Sequence, residues 1–226
     1  MKSSTSKDFA YAMTPLKILS WPVGTWPLQD YDVFSAIRAI IATFFLLLMV
    51  TIVQSEMYLD NSDAEKNLDG LVFITCGSLA ASKVIQFRIR PAALISNFTS
   101  AVEDYNELKD KEKRVIVRRH AYMARVASAS VIFFAYFSSI LFITVPMLAE
   151  EEAKDIVNVT EESTLGYPIP SEYVMTIIQL PDNLYFMVCV VEYLMLLFTS
   201  TGNLGNVSSC LTNYLLSEVM LINSVN

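Results

Sequence analysis

The sequence predicts an all-α, polytopic membrane protein with four transmembrane helices and a long cytoplasmic helical hairpin between the second and the third. Two observations lead to this fold class. Apolar residues make up 54% of the 226 residues and charged residues only 17%, which is more apolar than an ordinary soluble domain. Several runs also approach the ~20 mostly apolar residues that a helix needs to cross a bilayer. We therefore expect lipid, rather than water, to surround much of the chain.

The first predicted transmembrane helix covers residues 35–57 and has no charge from Ala39 to Ser55. Residues 1–34, which precede it, contain Trp, Pro and several charged side chains and are expected to be cytoplasmic. A cleaved signal peptide would have its apolar region much closer to Met1. The first helix is therefore predicted to be a retained signal-anchor.

The second predicted transmembrane helix covers residues 70–87, and the third covers residues 126–149, which carry no charge. Apolar residues recur at three- and four-residue spacing in the intervening segment 88–125, which is typical of an amphipathic helix. The apolar stripe consists of Leu94, Phe98, Val102, Tyr105 and Leu108. We expect the two helices to continue below the membrane as a hairpin. A basic helical face on anionic lipid is an alternative that is compatible with the hairpin.

The fourth predicted transmembrane helix lies within residues 173–204, and two starting points are open. A start at Tyr173 places Pro181 and Asp182 near mid-membrane, whereas a start at Asn183 places Glu192 there. A carboxylate at that depth costs several kcal/mol unless it is paired or faces water. Either carboxylate is most simply explained by packing against protein. We favour the start at Tyr173, for the family reason given below.

The distribution of positive charge predicts the orientation of the chain. Of the 16 lysines and arginines, all but Lys66 and Lys154 precede or open the first helix, or lie at the end of the second helix or in segment 88–125. The positive-inside rule then places the N-terminus in the cytoplasm and the loop 150–172 outside. That loop contains the sequon Asn158-Val159-Thr160, so Asn158 is a predicted glycosylation site.

Residues that would indicate catalysis are sparse. The single histidine is His120, and the sequence contains no metalloprotease, hydrolase or phosphate-binding motif. The cysteines (Cys76, Cys189 and Cys210) are far apart and are best interpreted as small buried apolar residues. The net charge of −7 is unlike a nucleic-acid-binding surface. We expect no enzymatic activity, no cofactor, no metal site and no nucleic-acid partner.

Three stretches resemble the insect odorant receptors. Gly24-Thr25-Trp26-Pro27, preceded by Phe9, Leu16 and Trp21, is similar to a G-x-W-P that precedes the first helix in many of them. Residues 101–105, 109–114 and 118–125 resemble the acidic-aromatic, charged and then arginine-rich entry to the third helix, although Tyr105 stands where Trp is common. Tyr167, Pro168, Pro170, Tyr173 and Gln179 are similar to the approach into the fourth helix, which places its closing turn at residues 202–206.

The resemblance covers residues 8–206 and implies a function. The family consists of odorant-gated, non-selective cation channels of the plasma membrane, which are hetero-oligomers (tetramers) of a receptor and an obligate co-receptor subunit. Residues 207–226 do not match the family's three further helices, the last of which lines the pore. We therefore expect a form truncated after the fourth helix that conducts no ions alone.

A small volatile odorant needs an apolar cavity with one or two polar anchors, and the family binds it between the outer halves of its helices. Depth and three- to four-residue spacing select nine candidate residues, for each of which plain helix packing is the alternative. They are Phe73, Cys76 and Ala80 in the second helix, Ser138, Phe142 and Val145 in the third, and Tyr173, Thr176 and Leu180 in the fourth.

Three other classes of membrane protein remain open. A gustatory receptor fragment would share the architecture. A non-catalytic four-helix scaffold of the tetraspanin kind needs a large, cysteine-rich outer loop, whereas loop 150–172 is short and has no cysteine. A small transporter would normally show an internal repeat or interrupted helices in matching positions.

Overall fold

The computed structural model describes residues 14–15, 17–26, 29–59, 64–92, 95–96, 99–100, 103, 115, 119, 122–123, 125–141, 144, 167–179 and 181–224. The regular elements of this part of the chain are all helical. They are α1 (Val33–Leu59), α2 (Ala64–Ile89), α3 (Arg125–Leu141), α4 (Glu172–Ile178) and α5 (Tyr185–Ser224), with a 3-10 turn at Asp182–Leu184. The predicted all-α class is confirmed for these residues.

Among the described residues, three helical stretches are long and apolar enough to cross a membrane: Val33–Leu59, Lys66–Ile89 and Tyr185–Leu204. The first two contain the predicted helices at 35–57 and 70–87. On α1, large apolar side chains such as Phe34 and Phe44 are 74% and 60% exposed. Contiguous apolar surface of this kind is rare on soluble proteins and is expected where lipid contacts the helix.

The third predicted transmembrane helix is described only in part. Its first residues belong to α3, an apolar helix of fewer than 18 residues that ends at Leu141 in the described part of the chain. The rest of it, the loop 150–166 with Asn158, and most of segment 88–125 lie outside the described residues. The total of four transmembrane helices therefore stays a prediction, as do the cytoplasmic hairpin and the glycosylation site.

The preferred start of the fourth helix, at Tyr173, is wrong. Helix α4 ends at Ile178, and Gln179 adopts a left-handed conformation (φ 53°) with its N–H bonded to the carbonyl of Thr176. Pro181 and the 3-10 turn follow before α5 begins at Tyr185. Proline lacks an N–H and disfavours a helical residue before it, so a helix cannot easily run through position 181. The membrane-length helix follows the alternative register, with Glu192 inside it.

The predicted closing turn at residues 202–206 is also wrong, because α5 continues to Ser224. Gly202 is buried inside the helix, and the amide oxygen of Asn203 accepts a hydrogen bond from Lys83 Nζ at 3.3 Å. Glycine and asparagine are permissive residues that allow a turn without requiring one. Here Gly202, which has no side chain, and the polar contact of Asn203 are both accommodated in a continuous helix.

The chain divides into two compact units. The first contains Met1–Ile41, Lys83–Phe134 and Thr201–Asn226, and the second contains Ala42–Ser82 and Ala135–Ser200. The core of the second unit consists of Met49, Val53, Ile169, Met195 and Leu196. Gly77 allows α2 to approach α1 closely, because a Cβ at this position would lie 2.5 Å from the terminal methyl of Met49.

In the first unit, the segment before α1 folds back on the start of that helix. Val23 and Trp26 are buried, and Gly24 has φ +70°. A Cβ on Gly24 would lie 2.4 Å from the carbonyl oxygen of Ser35, while the Gln29 side-chain amide donates to the Gly24 carbonyl at 2.7 Å. The glycine and the tryptophan of the Gly24-Thr25-Trp26-Pro27 stretch therefore both have a packing role.

The substitution Gly24→Ala is expected to lower the free energy of unfolding by about 1–3 kcal/mol, because alanine is strained in this conformation and its Cβ meets backbone. Reversible denaturation of the purified chain in mixed micelles, followed by circular dichroism, measures the change. Gly70→Ala is the matched control, since it has no positive φ and its Cβ would meet side-chain atoms of Met57 and Val53 rather than backbone. Equal losses in the two variants would contradict this explanation.

Candidate functional site

A cleft of about 210 Å³ lies where α1 ends, α2 begins and the segment before α4 approaches both. Its walls are formed by Glu56, Met57, Lys66, Asn67, Asp69, Phe73, Tyr167, Pro168, Pro170 and Glu172. Three carboxylates and one ammonium group therefore stand beside aromatic rings and prolines. The volume is below the range of about 300–1,000 Å³ that drug-sized ligands occupy, so the cleft suits a small molecule.

Glu56, near the end of α1, holds the start of α4. Its side chain is only 8% exposed, and its two carboxylate oxygens accept the backbone N–H groups of Tyr173 at 2.8 Å and Val174 at 2.9 Å. The first N–H groups of a helix have no partner within the helix, and a negative charge at this end is favourable. The local residue Ser171 makes no side-chain capping bond, so a carboxylate from another helix supplies the cap.

Glu192, on α5, holds the residues just before α4. Its carboxylate is 1% exposed and accepts the hydroxyl of Ser171 at 2.6 Å and the N–H of Ile169 at 3.2 Å. An ionisable group within a membrane helix is costly and needs protein partners. The expectation that this carboxylate packs against protein is confirmed, and its partners explain why Ser171 does not cap α4.

Two further contacts fix the same region. Lys66 on α2 forms an ion pair with Glu172 at 2.8 Å, with both side chains partly exposed, so the pair shapes the rim of the cleft more than it stabilises the fold. The Tyr167 ring packs edge-on against Tyr185, with centroids 5.4 Å apart. Residues 167–178, which we call the clasp segment, thus contact α1, α2 and α5 while lining the cleft.

The predicted ligand-binding residues are only partly brought together. Phe73 lines the cleft, and the backbone of Tyr173 is bonded to Glu56, which also lines it. Cys76 is half-buried and Ala80 is fully buried. Ser138 and Thr176 are exposed, and their hydroxyls donate to carbonyls of their own helices, those of Ala135 and Glu172. Phe142, Val145 and Leu180 lie outside the described residues.

Several residues of this region were not anticipated as site residues. Glu56 and Ser171 form the polar contacts of the clasp segment, and between α3 and α5 the hydroxyl contact is made by Ser139 with Ser200, at 3.2 Å, rather than by Ser138. Successive side chains on a helix point about 100° apart. A prediction that is wrong by one position therefore selects the exposed Ser138 instead of the buried Ser139. The sequence did contain one signal for these contacts, namely the carboxylate of Glu192 within an apolar run, which needs polar partners from the protein.

Among the described residues, no three His, Cys, Asp or Glu side chains are placed to hold a metal ion. What the cleft offers instead is hydrogen bonding and charge next to apolar surface. No family model, no curated protein and no solved structure matches this chain.

Glu56→Ala is expected to release the start of α4, because both capping bonds are lost. We expect faster hydrogen exchange at the amides of Tyr173 and Val174, and a loss of about 2 kcal/mol of unfolding free energy, as for hydrogen bonds to a charged acceptor. Mass spectrometry after deuterium labelling in micelles measures the exchange. Asp69→Ala is the control, because it removes a carboxylate from the same cleft but no hydrogen bond to the start of α4. Hydrogen exchange at Tyr173 and Val174 that is as fast in Asp69→Ala as in Glu56→Ala would contradict the capping role.

The Ser171–Glu192 contact is expected to be energetically coupled. Ser171→Ala leaves the Glu192 carboxylate with the Ile169 N–H alone, so its cost should be greater in the native chain than in a Glu192→Leu background. We expect a coupling of about 0.5–3 kcal/mol in a double-mutant cycle measured by unfolding in mixed micelles. Thr176→Ala, which removes an exposed hydroxyl of the same segment, serves as the uncoupled control. Strictly additive costs would refute the coupling.

Proposed function

We propose that this chain is a ligand-binding subunit of the insect odorant receptor kind, multi-pass in the plasma membrane with its N-terminus in the cytoplasm. The sequence resemblance over residues 8–206 and the three membrane-length helices support this proposal. Its partners are a small volatile odorant and a co-receptor subunit. In this proposal, the hetero-oligomer with the co-receptor provides the cation path.

The single observation on which the proposal rests most is the cleft bordered by the clasp segment. Ligand action requires that the ligand bind one conformation of the protein better than another. The clasp segment lines the cleft through Tyr167 and Glu172 and is bonded to α5 through Ser171. A molecule that fills the cleft therefore favours one position of this segment, and the contact with Glu192 passes that preference to a membrane helix.

The groups around the cleft also indicate which small molecules bind best. Carboxylates accept hydrogen bonds and do not donate them, whereas the Lys66 ammonium only donates. Both oxygens of Glu56 already accept backbone N–H groups. Asp69 and Glu172 still give the cleft more charged acceptors than donors, next to the apolar surface of Phe73 and Tyr167. Short alcohols are therefore expected to bind better than the ethers of equal size, which lack a donor.

Narrowing the cleft is the test of this function. Asn67 lines the cleft, whereas its neighbour Leu68 is 65% exposed and does not. Asn67→Trp is expected to weaken binding of short alcohols about tenfold or more, about 1.4 kcal/mol, while Leu68→Trp leaves it unchanged. Saturation-transfer NMR on the purified chain in nanodiscs measures binding to a panel of matched alcohols and ethers.

A second measurement addresses the receptor assembly. Cells that co-express the chain with an odorant co-receptor are expected to give an alcohol-evoked calcium signal beyond that of the co-receptor alone, and Asn67→Trp is expected to reduce it. A panel without any binder, or equal binding by Asn67→Trp and Leu68→Trp, contradicts the cleft as the ligand site. Binding in nanodiscs without an added signal contradicts the receptor role and leaves the cleft intact.

A further inference from the structure

Two arginines of the first unit have contacts at the start of α1, and neither forms an ion pair with an acidic residue in the described part of the chain. Arg88, at the end of α2, donates to the hydroxyl of Ser35 at 2.7 Å, and Ser35 lies three residues before Arg38 on α1. Residues three apart lie on the same side of a helix, so both arginines approach the same stretch at the start of α1. Arg38 itself donates to the Gln29 side chain at 3.1 Å.

Each guanidinium also lies against an aromatic ring. The Arg38 guanidinium is 4.1 Å from the centre of the Trp21 ring, and that of Arg88 is 5.1 Å from the centre of the Tyr31 ring. Burial raises the pKa of the Tyr31 phenol above its ordinary value, although Arg88 opposes the shift, so the phenol stays neutral near pH 7. The contacts of both arginines are thus with neutral groups.

The positive charges of this cluster have no directly bonded counter-charge among the described residues. Neither Arg38 nor Arg88 forms an ion pair there, and the buried Nε of Arg38 has no hydrogen-bond partner. Of the nearby carboxylates, Asp32 accepts the N–H of Ser35 at 2.8 Å and caps α1. Guanidinium groups with N–H donors to spare match the geometry of phosphate oxygens and are one common means by which proteins bind phosphate.

The position of the cluster relative to the membrane-length helices sets its depth. It lies at the first residues of α1 and the last residues of α2, where two membrane-length helices begin and end. Apolar side chains beside it are exposed, including Ile18 at 69%, Trp21 at 49% and Phe34 at 74%. Tryptophan and arginine at helix ends are typical of the headgroup region, with apolar neighbours reaching the acyl chains.

We infer that Arg38 and Arg88, with Trp21 and Tyr31, form a binding site for the phosphate of an anionic phospholipid headgroup. The headgroup phosphate meets the two guanidinium groups, and the acyl chains run along the exposed apolar side chains of the N-terminal segment. In the predicted orientation this site faces the cytoplasmic leaflet, where anionic lipids are concentrated. The inference does not depend on whether a ligand binds at the cleft, because the residues of the cleft belong to the second unit.

Native mass spectrometry of the full chain in neutral detergent tests this site. Phosphatidylglycerol and phosphatidylcholine with identical acyl chains are titrated in parallel, and we expect phosphatidylglycerol to be retained at lower concentration. R38Q and R88Q are each expected to weaken its retention about fivefold. K66Q removes one positive charge next to the cleft instead, and it is expected to leave the preference unchanged.

Three outcomes would overturn the inference: equal retention of the two lipids, an unchanged preference in R38Q and R88Q, or an equal loss in K66Q. Displacement of phosphatidylglycerol by inorganic phosphate at equal concentration would also overturn it, because the acyl chains would then contribute nothing. The comparison of the two lipids on the native chain needs no variant. It therefore decides the matter even if a substitution impairs folding, which circular dichroism would reveal.

Discussion

The arrangement of the second unit depends on one constraint: backbone N–H and C=O groups that water does not reach need hydrogen-bond partners from the protein. A non-helical stretch next to membrane helices must find its hydrogen-bond partners within the protein. The clasp segment begins with such a stretch at residues 167–171, and the short helix α4 that follows has N–H groups at its start that need partners from outside the helix. Glu56 and Glu192, from two different helices, accept three of its N–H groups and one hydroxyl. The two carboxylates thus fix the segment that forms one wall of the cleft.

Much of the fold could be predicted from the sequence because it follows from the length and polarity of apolar runs. The helix containing 35–57 follows from a charge-free apolar run near a bilayer's thickness, for which a helix is the simplest solution. The run at 70–87 is less apolar and contains Lys83, but the lysine lies near one end, where its side chain can reach the headgroups. The start of the fourth helix was misplaced because its sequence was ambiguous: each of the two possible registers places one carboxylate near mid-membrane. Local chemistry decides between them: proline at position 181 breaks the helix, whereas Glu192 is tolerated because Ser171 and Ile169 supply its partners.

The candidate site was less predictable, because its residues are defined by contacts between distant parts of the chain. Glu56 meets Tyr173 across more than a hundred residues, and no periodicity in the sequence joins them. Phe73 was found because it combines the right depth with the right helix face, whereas Ser138 lies one position from the buried Ser139. Spacing within one helix therefore identifies a face to within about 100°. Only the packing of helices decides which polar side chain meets a partner.

The two ends of α1 carry side chains of opposite charge, and this difference bears on what each end can bind. Near its start, guanidinium groups rest on aromatic rings and neutral oxygens, so their charge remains available to an external anion. Near its end, both oxygens of the Glu56 carboxylate accept backbone N–H groups of α4, so this carboxylate is less available to a ligand. A ligand at the cleft must then be recognised mainly by the partly exposed Glu172, Lys66 and Asp69, where water competes and single contacts are weak. Apolar surface from Phe73 and Tyr167 has to supply much of the affinity, which favours small, weakly polar molecules over ions.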